Sequence, residues 1–576
     1  MSVYSRILIT MCLVFTTCCS VSDKEQSDSN EPIQYVTLEE ASQKTSLNTE
    51  RVCIIGFDGL TWDILTPMME KGELPNFSKM IRTGCKGIFD PADPVLFSPR
   101  IWTSIATGKT PDEHGITFFF INPQQAMQSG ETAGSDLRRC LAIWNIASHF
   151  KKRVLVSNWM VSWPAEPVYG AVVSDYVEIT HGVWPENLAS KIQPKYRLGL
   201  KQGDHFKSIN QRFYPWLNEK EEELPRGEMI KVGNLRQTIY RDEFTLENSL
   251  NVFSEEMSDL SMFYLRSIDI ASHFYWKYSQ LPPDDSRLEG LEKEIELFGH
   301  ILPEAYRWAD QNLGKIVEAM PEDTIFIIVS DHGFTTFFND LRGYNLAKLL
   351  GDLHCGHFFD DKGIKAVFTD TSDPIDPVRK IHLQDAMLPS FTEKTGMTKD
   401  QLIQNIIDTT LSIKTLDGTQ VLFLEPLENL KLLRGETAPD IAFQFNAVNL
   451  KPTDQLLLKD ELVSIENYIQ FLDLSGNHKA DAVIIISGDK TNHGSTIENA
   501  TAIDIVPTVL MLLDLPVADD MSGKPLFSAF KPDVLKDHPL THIQSYESVI
   551  QRKIVDVISS DRPNITEQLR TLGYIQ

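Results

Sequence analysis

Three acid- or histidine-bearing motifs follow apolar runs in this chain: Phe57-Asp58-Gly59, Asp269-Ile270-Ala271-Ser272-His273 and Ser330-Asp331-His332-Gly333. A fourth, Asn492-His493-Gly494-Ser495, comes after the apolar run 482–486. Alone, each has an ordinary explanation. Asp-Gly is a common turn. Asp269 and His273, four residues apart, share one face of a helix and can simply bond each other. Asp331 and His332 can close a loop. Together, Asp58, Asp269, Asp331, His273, His332 and His493 supply three carboxylates and three imidazoles. That is the ligand count for two borderline divalent cations such as zinc or manganese. In α/β sheets, strand ends converge on the ligand crevice, where such a set would meet.

Two cations flanking a reaction need a nucleophile between them. The segment PVLFSPRIWTSIATGKTPDEHGI, residues 94–116, offers one. Ser98 precedes Pro99, then a helix-compatible run to Thr107, then Gly108. The pattern predicts an N-cap, a proline at the first helical position and a glycine just past the end. A serine hydroxyl is a weak nucleophile; cation coordination and the positive helix end favour its alkoxide. The same helix end is expected to offer backbone N–H groups to a phosphoryl oxygen. Thr103, Ser104 and Thr107 are rival hydroxyls inside the helix, where packing or back-bonding to the chain is the plainer role.

The elements that must position these residues can be read from periodicity. Strands are predicted at 52–57, 153–156, 171–173, 262–265, 324–329 and 482–486, short runs bounded by turn signals. Helical patterns cover 302–320 and 504–513, and 62–81 reads as two short helices broken near Gly72 and Pro75. Strands alternating with helices predict a layered α/β core with a central, mostly parallel sheet between helices. Residues 185–255 and 343–480 interrupt that rhythm and are read as cap insertions within a catalytic unit spanning 51–530. Residues 531–576 form a C-terminal extension, closing with a short helix near 566–574.

The chain has 576 residues, enough for a large domain with insertions rather than one small core. Its formal net charge of -26 disfavours a nucleic-acid binder, which needs a basic surface, while bound cations can still draw a small phosphorylated substrate. Arg6, the apolar run 7–15 and small residues ending in Cys18-Cys19-Ser20 have the layout of an export signal over 1–20. The run is too short to span a bilayer as a helix. Cys18 and Cys19 are candidate lipid attachment points, which would place the protein in the periplasm or on the outer surface, anchored to a membrane. Residues 21–50 are polar and read as a tether. Cys53, Cys85, Cys140 and Cys355 show no CxxC pairing, which argues against a cysteine zinc site and leaves a disulfide open.

The ordered set of motifs resembles the alkaline phosphatase superfamily. The branch it is most similar to is the type I phosphodiesterase/nucleotide pyrophosphatase group with its bacterial phosphohydrolases. The resemblance is carried by GFDG (56–59), ELPNFSKMIRTG (73–84), SPRIWTSIATGKTPDEHGI (98–116), WPAEPVYGAVVSD (163–175), SDHGF (330–334), NHGS (492–495) and DIVPTVLMLLDLP (504–516). It implies an alkaline-phosphatase-like layered core. It implies that Asp58, Asp331 and His332 hold one metal with Ser98 touching it, and that Asp269, His273 and His493 hold the other. It further implies zinc, sometimes manganese, and a phosphoryl intermediate on Ser98. Four positions depart from relatives, the first being Ser98, where the nucleotide pyrophosphatases usually have threonine. Ile101 stands where the nucleotide pyrophosphatases place an asparagine on a phosphoryl oxygen. Pro99 and Arg100 stand at spacings unlike those of sulfatases.

The expected function is therefore metal-dependent hydrolysis of phosphodiesters or phosphomonoesters outside the cytoplasm. Rival expectations are phosphoryl transfer between two alcohols and a catalytically silent surface protein that binds metal or glycans. Trp163, Trp184, Trp216, Tyr275 and Trp276 are candidates either to stack on substrate or to pack. The sequence carries no signal of oligomeric state.

Overall fold

The computed structural model describes residues 34–44, 50–120, 131–217, 226–255, 257–281, 288, 291–336, 341–344, 346–353, 355–360, 363–366, 368–370, 378–427, 430, 438–446, 454–458, 461–465, 469–471 and 475–564. The expected leader, with Cys18 and Cys19, and the expected helix near 566–574 lie outside the described residues.

Its centre is a nine-stranded, mostly parallel sheet between helices. The strands that matter below are β1 (Arg51–Phe57), β2 (Gly84–Asp90), β3 (Val154–Ser157), β4 (Gly170–Val173), β5 (Val183–Trp184), β6 (Leu260–Leu265), β7 (Thr324–Val329), β8 (Gly333–Thr336), β9 (Gly476–Lys479), β10 (Ala482–Ser487) and β11 (Thr496–Thr501). The order across the sheet is β11-β2-β10-β7-β1-β6-β3-β4-β5. The run β7-β1-β6-β3-β4 is parallel, and β10 lies antiparallel between β7 and β2.

Strands this apolar must be covered on both faces. In β1, Val52 and Ile54 enter one core while Cys53, Ile55 and Phe57 enter the other. β7 repeats the alternation with Ile325, Ile327 and Val329 against Phe326 and Ile328. On the first face lie the helices Ser98–Thr107, Ile143–His149 and Ile505–Leu512. On the second lie Trp62–Glu70, Pro75–Arg82, Ser267–Tyr275 and Ile301–Ala319.

Three expectations differ from the structure. Helix Arg226–Glu255, within the stretch read as a cap, sends Val232, Leu235 and Ile239 at helical spacing into the second core. Its long polar face hid that stripe. Strands β2 and β11 were not expected. In β2, the pattern GCKGIFD looks like a turn, but Gly84 and Gly87 are packed so that an added Cβ would stand 2.2 Å from the carbonyls of Ile486 and Ile497. Within the stretch read as a tether, Leu38–Lys44 is a helix, and Val36 donates to the His542 carbonyl.

Residues 343–480 contain a separate, smaller unit. Four antiparallel strands, ordered Phe368–Asp370, Val378–Leu383, Ile441–Phe445 and Leu422–Leu424, share a core with helices Leu388–Thr395 and Lys399–Leu411. The chain leaves the main body along β8 and returns along β9, and these two strands pair antiparallel with His478 opposite Phe334. Part of the C-terminal extension packs on the main body: Val534, Ile543, Tyr546 and Ile550 enter the first core.

Candidate active site

Asp58 follows the end of β1, and Asp331 and His332 follow β7 beside it. The neighbouring β6 ends at Leu265, and the chain turns into the helix that carries Asp269 and His273 on one face. The parallel strands thus deliver five expected ligands to one sheet edge. Ser98 joins them from the start of its helix. It is the first helical residue rather than the cap: Phe97 holds the cap position, Pro99 follows, and Gly108 ends the helix at φ 66°. Ser98 is buried, and its Oγ lies 3.5 Å from His332 Nε2.

The sixth expected ligand, His493, is not there. It is set near Gly488, with Nε2 3.1 Å from that carbonyl. His478, on β9, fills the position instead. Its Nε2 lies 3.0 Å from His273 Nε2 and 3.4 Å from Asp269 Oδ1, and its ring stacks on His332 with centroids 3.5 Å apart. The cause is strand direction. β10 runs antiparallel to β7, so its beginning meets the edge where the parallel strands end. A histidine that precedes β10 reaches the site; one that follows it is carried to the opposite edge. The available signal was Ser475-Gly476-Asn477-His478, ahead of the apolar run.

All three imidazoles are fixed through Nδ1. His332 bonds the Gly333 carbonyl at 3.2 Å, His273 the Gly476 carbonyl at 3.2 Å, and His478 the Leu96 carbonyl at 2.7 Å. A carbonyl can only accept, so each bond puts the ring proton on Nδ1 and leaves a lone pair on Nε2. The Nε2 atoms of His273 and His478 then face each other as two acceptors, an arrangement that a shared cation resolves. Asp58 is held in a similar way. Its Oδ2 accepts from Trp102 Nε1 at 3.2 Å and from the Tyr264 hydroxyl, leaving Oδ1 turned inward. Asp331 Oδ1 accepts from Gly59 N at 3.2 Å. Buried Asp58 Oδ1, Asp269 Oδ1 and Asp331 Oδ2 receive no hydrogen bond from any described residue.

The charges in this pocket ask for positive partners. Burial, then the neighbouring Asp331 and Asp269 carboxylates, push the Asp58 carboxyl well above its usual range. Burial and Asp269 push Asp331 up to about 7. Burial alone would raise Asp269 as well, but His273 and His478, when they carry a proton on Nε2 in addition to Nδ1, hold it well below the usual range. Burial, reinforced by His478, keeps the His332 imidazole from protonating. Two groups of donor atoms, Asp58/Asp331/His332 and Asp269/His332/His478, are each close enough to hold one ion. His273 adjoins the second group, with Nε2 3.2 Å from Asp269 Oδ1. The donor set fits divalent cations of the zinc and manganese kind.

The rival hydroxyls are engaged elsewhere. Thr103 donates to the Pro99 carbonyl at 2.6 Å, Thr107 to the Thr103 carbonyl at 2.7 Å, and Ser104 lies 3.1 Å from His114 Nε2. The helix start offers fewer donors than expected: Pro99 has no N–H, and those of Arg100 and Ile101 both point to the Phe97 carbonyl. Ile101 is buried in the core, and Arg100 is tied to Asp93 at 2.6 Å. The five candidate stacking aromatics all pack within the protein: Trp163, Trp184, Trp216 and Trp276 donate to Thr180, Val168, Leu297 and Thr336, and Tyr275 bonds Tyr214. The four cysteines described are buried free thiols, so no disulfide links them.

A cavity of about 220 Å³ borders Pro99, the residue that follows Ser98. Its lining includes Pro99, Tyr264, which bonds Asp58, and Arg266, near Asp269, together with the polar Thr132, Asn158, Asn234 and Gln237.

A family model described as type I phosphodiesterase/nucleotide pyrophosphatase matches residues 52–394. No curated protein matches the chain. Among solved structures, an inactive variant of murine ectonucleotide pyrophosphatase/phosphodiesterase 5 in complex with AMP is 13% identical, over 81% of this chain and 95% of that one, with a TM-score of 0.41. Human ectonucleotide pyrophosphatase/phosphodiesterase 5 is 14% identical, over 85% and 99%, at 0.42. A mutant of the alkaline phosphatase PafA is 13% identical, over 84% and 100%, at 0.48. The family match spans Asp58, Ser98, Asp269, His273, Asp331 and His332 and ends before His478. By that match the chain belongs to the type I phosphodiesterase/nucleotide pyrophosphatase family of phosphoric ester hydrolases.

Proposed function

We propose that this chain hydrolyses phosphate esters of small molecules through a covalent phosphoserine on Ser98, with two divalent cations held by Asp58, Asp331 and His332 on one side and Asp269, His273 and His478 on the other. The observation that carries this reading is the set of three buried carboxylate oxygens, on Asp58, Asp269 and Asp331, gathered around the Nε2 atoms of His332, His273 and His478 without a hydrogen bond of their own. Burying that much unpaired negative charge is costly, and cations offset it. When bound, the cations supply the charge that favours the Ser98 alkoxide and offsets the phosphoryl oxygens.

The chain's own residues do the rest. Ser98 Oγ bonds to phosphorus as the bond to the leaving oxygen breaks, and the Ser98 proton passes through water to that oxygen, which departs as the alcohol. Water then cleaves the phosphoserine, returning the hydroxyl and releasing the phosphate or monoester. Tyr264 and Trp102 hold Asp58 in place, and the carbonyls of Gly333, Gly476 and Leu96 hold the imidazoles in the tautomer that presents Nε2. Zinc is the cation we favour, and we place the enzyme outside the cytoplasm on the strength of residues 1–20.

The test uses protein lacking residues 1–20. Its metal content is measured, and p-nitrophenyl phosphate, bis-p-nitrophenyl phosphate and a nucleoside monophosphate p-nitrophenyl ester are assayed, with Ser98→Ala as control. Cation-dependent turnover of at least one ester, lost in Ser98→Ala, is expected. No bound cation and no turnover of any ester would remove the proposal.

A further inference from the structure

Thr132 and Ala133 are part of the cavity lining. They belong to a short extended segment outside the central sheet, so their place depends on the bonds that segment makes. One edge of it pairs with the chain just before it. Phe120 and Thr132 form an antiparallel bridge, and Ala133 N donates to the Phe119 carbonyl at 2.8 Å. The other edge is taken by residues 562–564, from the C-terminal extension. Glu131 and Asn564 form a second antiparallel bridge, and the Thr132 hydroxyl donates to the Pro563 carbonyl at 2.9 Å. This piece of cavity wall is thus the middle of three extended segments, with the C-terminal extension on one side of it.

Two arginines of the extension fasten the arrangement. Arg562 Nη1 donates to the Thr132 carbonyl at 3.2 Å, its guanidinium pairs with Asp136, and it lies over the Trp163 ring at 5.7 Å from the centroid. Arg552 Nη1 donates to the carbonyls of Ser135 and Cys140 at 3.2 and 3.3 Å. A planar guanidinium suits the first task, because it can meet a carboxylate, a carbonyl and a ring face together. The Arg562 and Asp136 side chains are only 7% and 11% exposed, so losing either one strands the charge of the other. None of these bonds involves Ser98 or a proposed cation ligand. They come from a part of the chain beyond residue 394, where the family match ends. Tyr264, bonded to Asp58, lines the same cavity, so the organic part of an ester held at the cations has this cavity to enter.

We propose that the C-terminal extension is a working part of the substrate site: Arg562, paired with Asp136, is a positioning residue that holds Thr132 and Ala133 against the alcohol portion of the bound phosphate ester. The inference rests on the phosphate-ester reading of the site. The experiment uses the full chain without residues 1–20, loaded with zinc, as wild type, Arg562→Met, Arg562→Lys, Asp136→Asn and the double variant Arg562→Met with Asp136→Asn. Cation content, kcat and KM on the esters above, and amide hydrogen exchange over residues 131–137 are measured.

Arg562→Met is expected to keep both cations and its kcat. Its exchange over 131–137 should quicken, and KM should rise about tenfold, the scale of one disturbed pocket contact. A raised KM at constant kcat marks lost substrate binding rather than lost chemistry. Asp136→Asn should act in the same way, and the double variant should go little further, because both changes break one pair. Arg562→Lys should recover part of the loss. If Arg562→Met does not fold, Arg562→Lys and Asp136→Asn carry the same comparison. Faster exchange with an unchanged KM overturns the inference, because the brace would then serve the fold alone. Unchanged exchange overturns it too, as does a fall in kcat accompanied by loss of cations. A wild type that turns over no ester refutes the proposed function instead, and hydrogen exchange still decides whether Arg562 holds the cavity wall.

Discussion

Replacing His478 by alanine should cost this protein one of its cations, whereas replacing His493 should not. A four-ligand zinc site is worth about 10–16 kcal/mol, so one ligand carries about 3–4 kcal/mol, or roughly 10²–10³-fold in affinity. His478 is placed to matter that much: its Nε2 is within 3.4 Å of both His273 Nε2 and Asp269 Oδ1. His493 instead faces the Gly488 carbonyl, away from the carboxylates. The cation-free protein should tell a different story. There His478→Ala loses its bond to the Leu96 carbonyl, about 1 kcal/mol, and is relieved of two opposed lone pairs. Its thermal midpoint without cations should therefore hardly move, while the midpoint with zinc should fall. The assay is competitive zinc titration of wild type, His478→Ala and His493→Ala, paired with thermal melts with and without zinc. If His493→Ala lost zinc while His478→Ala kept it, the placement of β9 against β8 and the strand-direction argument would both be wrong.

Other consequences can be checked with the same protein. Ser98→Ala should lower turnover by at least about 10³-fold while keeping both cations, whereas Thr103→Ala should stay near wild type; kinetics and metal analysis on the two variants decide this. Chelation should abolish turnover and lower the thermal midpoint, and zinc at about 100 times its dissociation constant should restore about 2.7 kcal/mol; a midpoint indifferent to free zinc would contradict the cation reading. His538 ties the C-terminal segment to the body through Asp514 at 2.6 Å and Glu50 at 3.1 Å, and these bonds raise its imidazole to about 9. A raised value stabilises the fold fully below about pH 6.5, and the contribution is lost as pH climbs through about 9. The rise is worth roughly 3 kcal/mol at most, about half of it surviving solvent screening. Urea unfolding of wild type and His538→Gln at pH 6.5 and 9.5 should differ at the lower pH and converge at the higher.

Much of the framework could be read from the chain because its inner strands are buried on both faces and so appear as continuous apolar runs, as in β1, β7 and β10. That Asp58, Asp331 and His332 meet was legible for the same reason: they stand directly after such runs. Ser98 was legible from the proline and glycine that frame its helix, though Phe97 took the cap position. What the sequence withheld depended on direction and pairing. Nothing within 482–487 says that β10 runs against its neighbour, so His493 looked like a strand-end ligand and His478 did not. β2 hid behind glycines whose purpose, close approach of Ile486 and Ile497, exists only in the assembled sheet.

The pairing of Gly333–Thr336 with Gly476–Lys479 also sets an order of events during synthesis. As the chain grows from its N-terminus, Asp58, Ser98, Asp269, His273, Asp331 and His332 all emerge before residues 343–480. His478 emerges at the end of that stretch, and β10, which must slide between β7 and β2, comes later still. A nascent chain halted within 343–475 would hold Ser98 and the whole Asp58, Asp331 and His332 group, but neither His478 nor the strand that closes the sheet. The Asp269, His332 and His478 group is thus completed only near the end of translation.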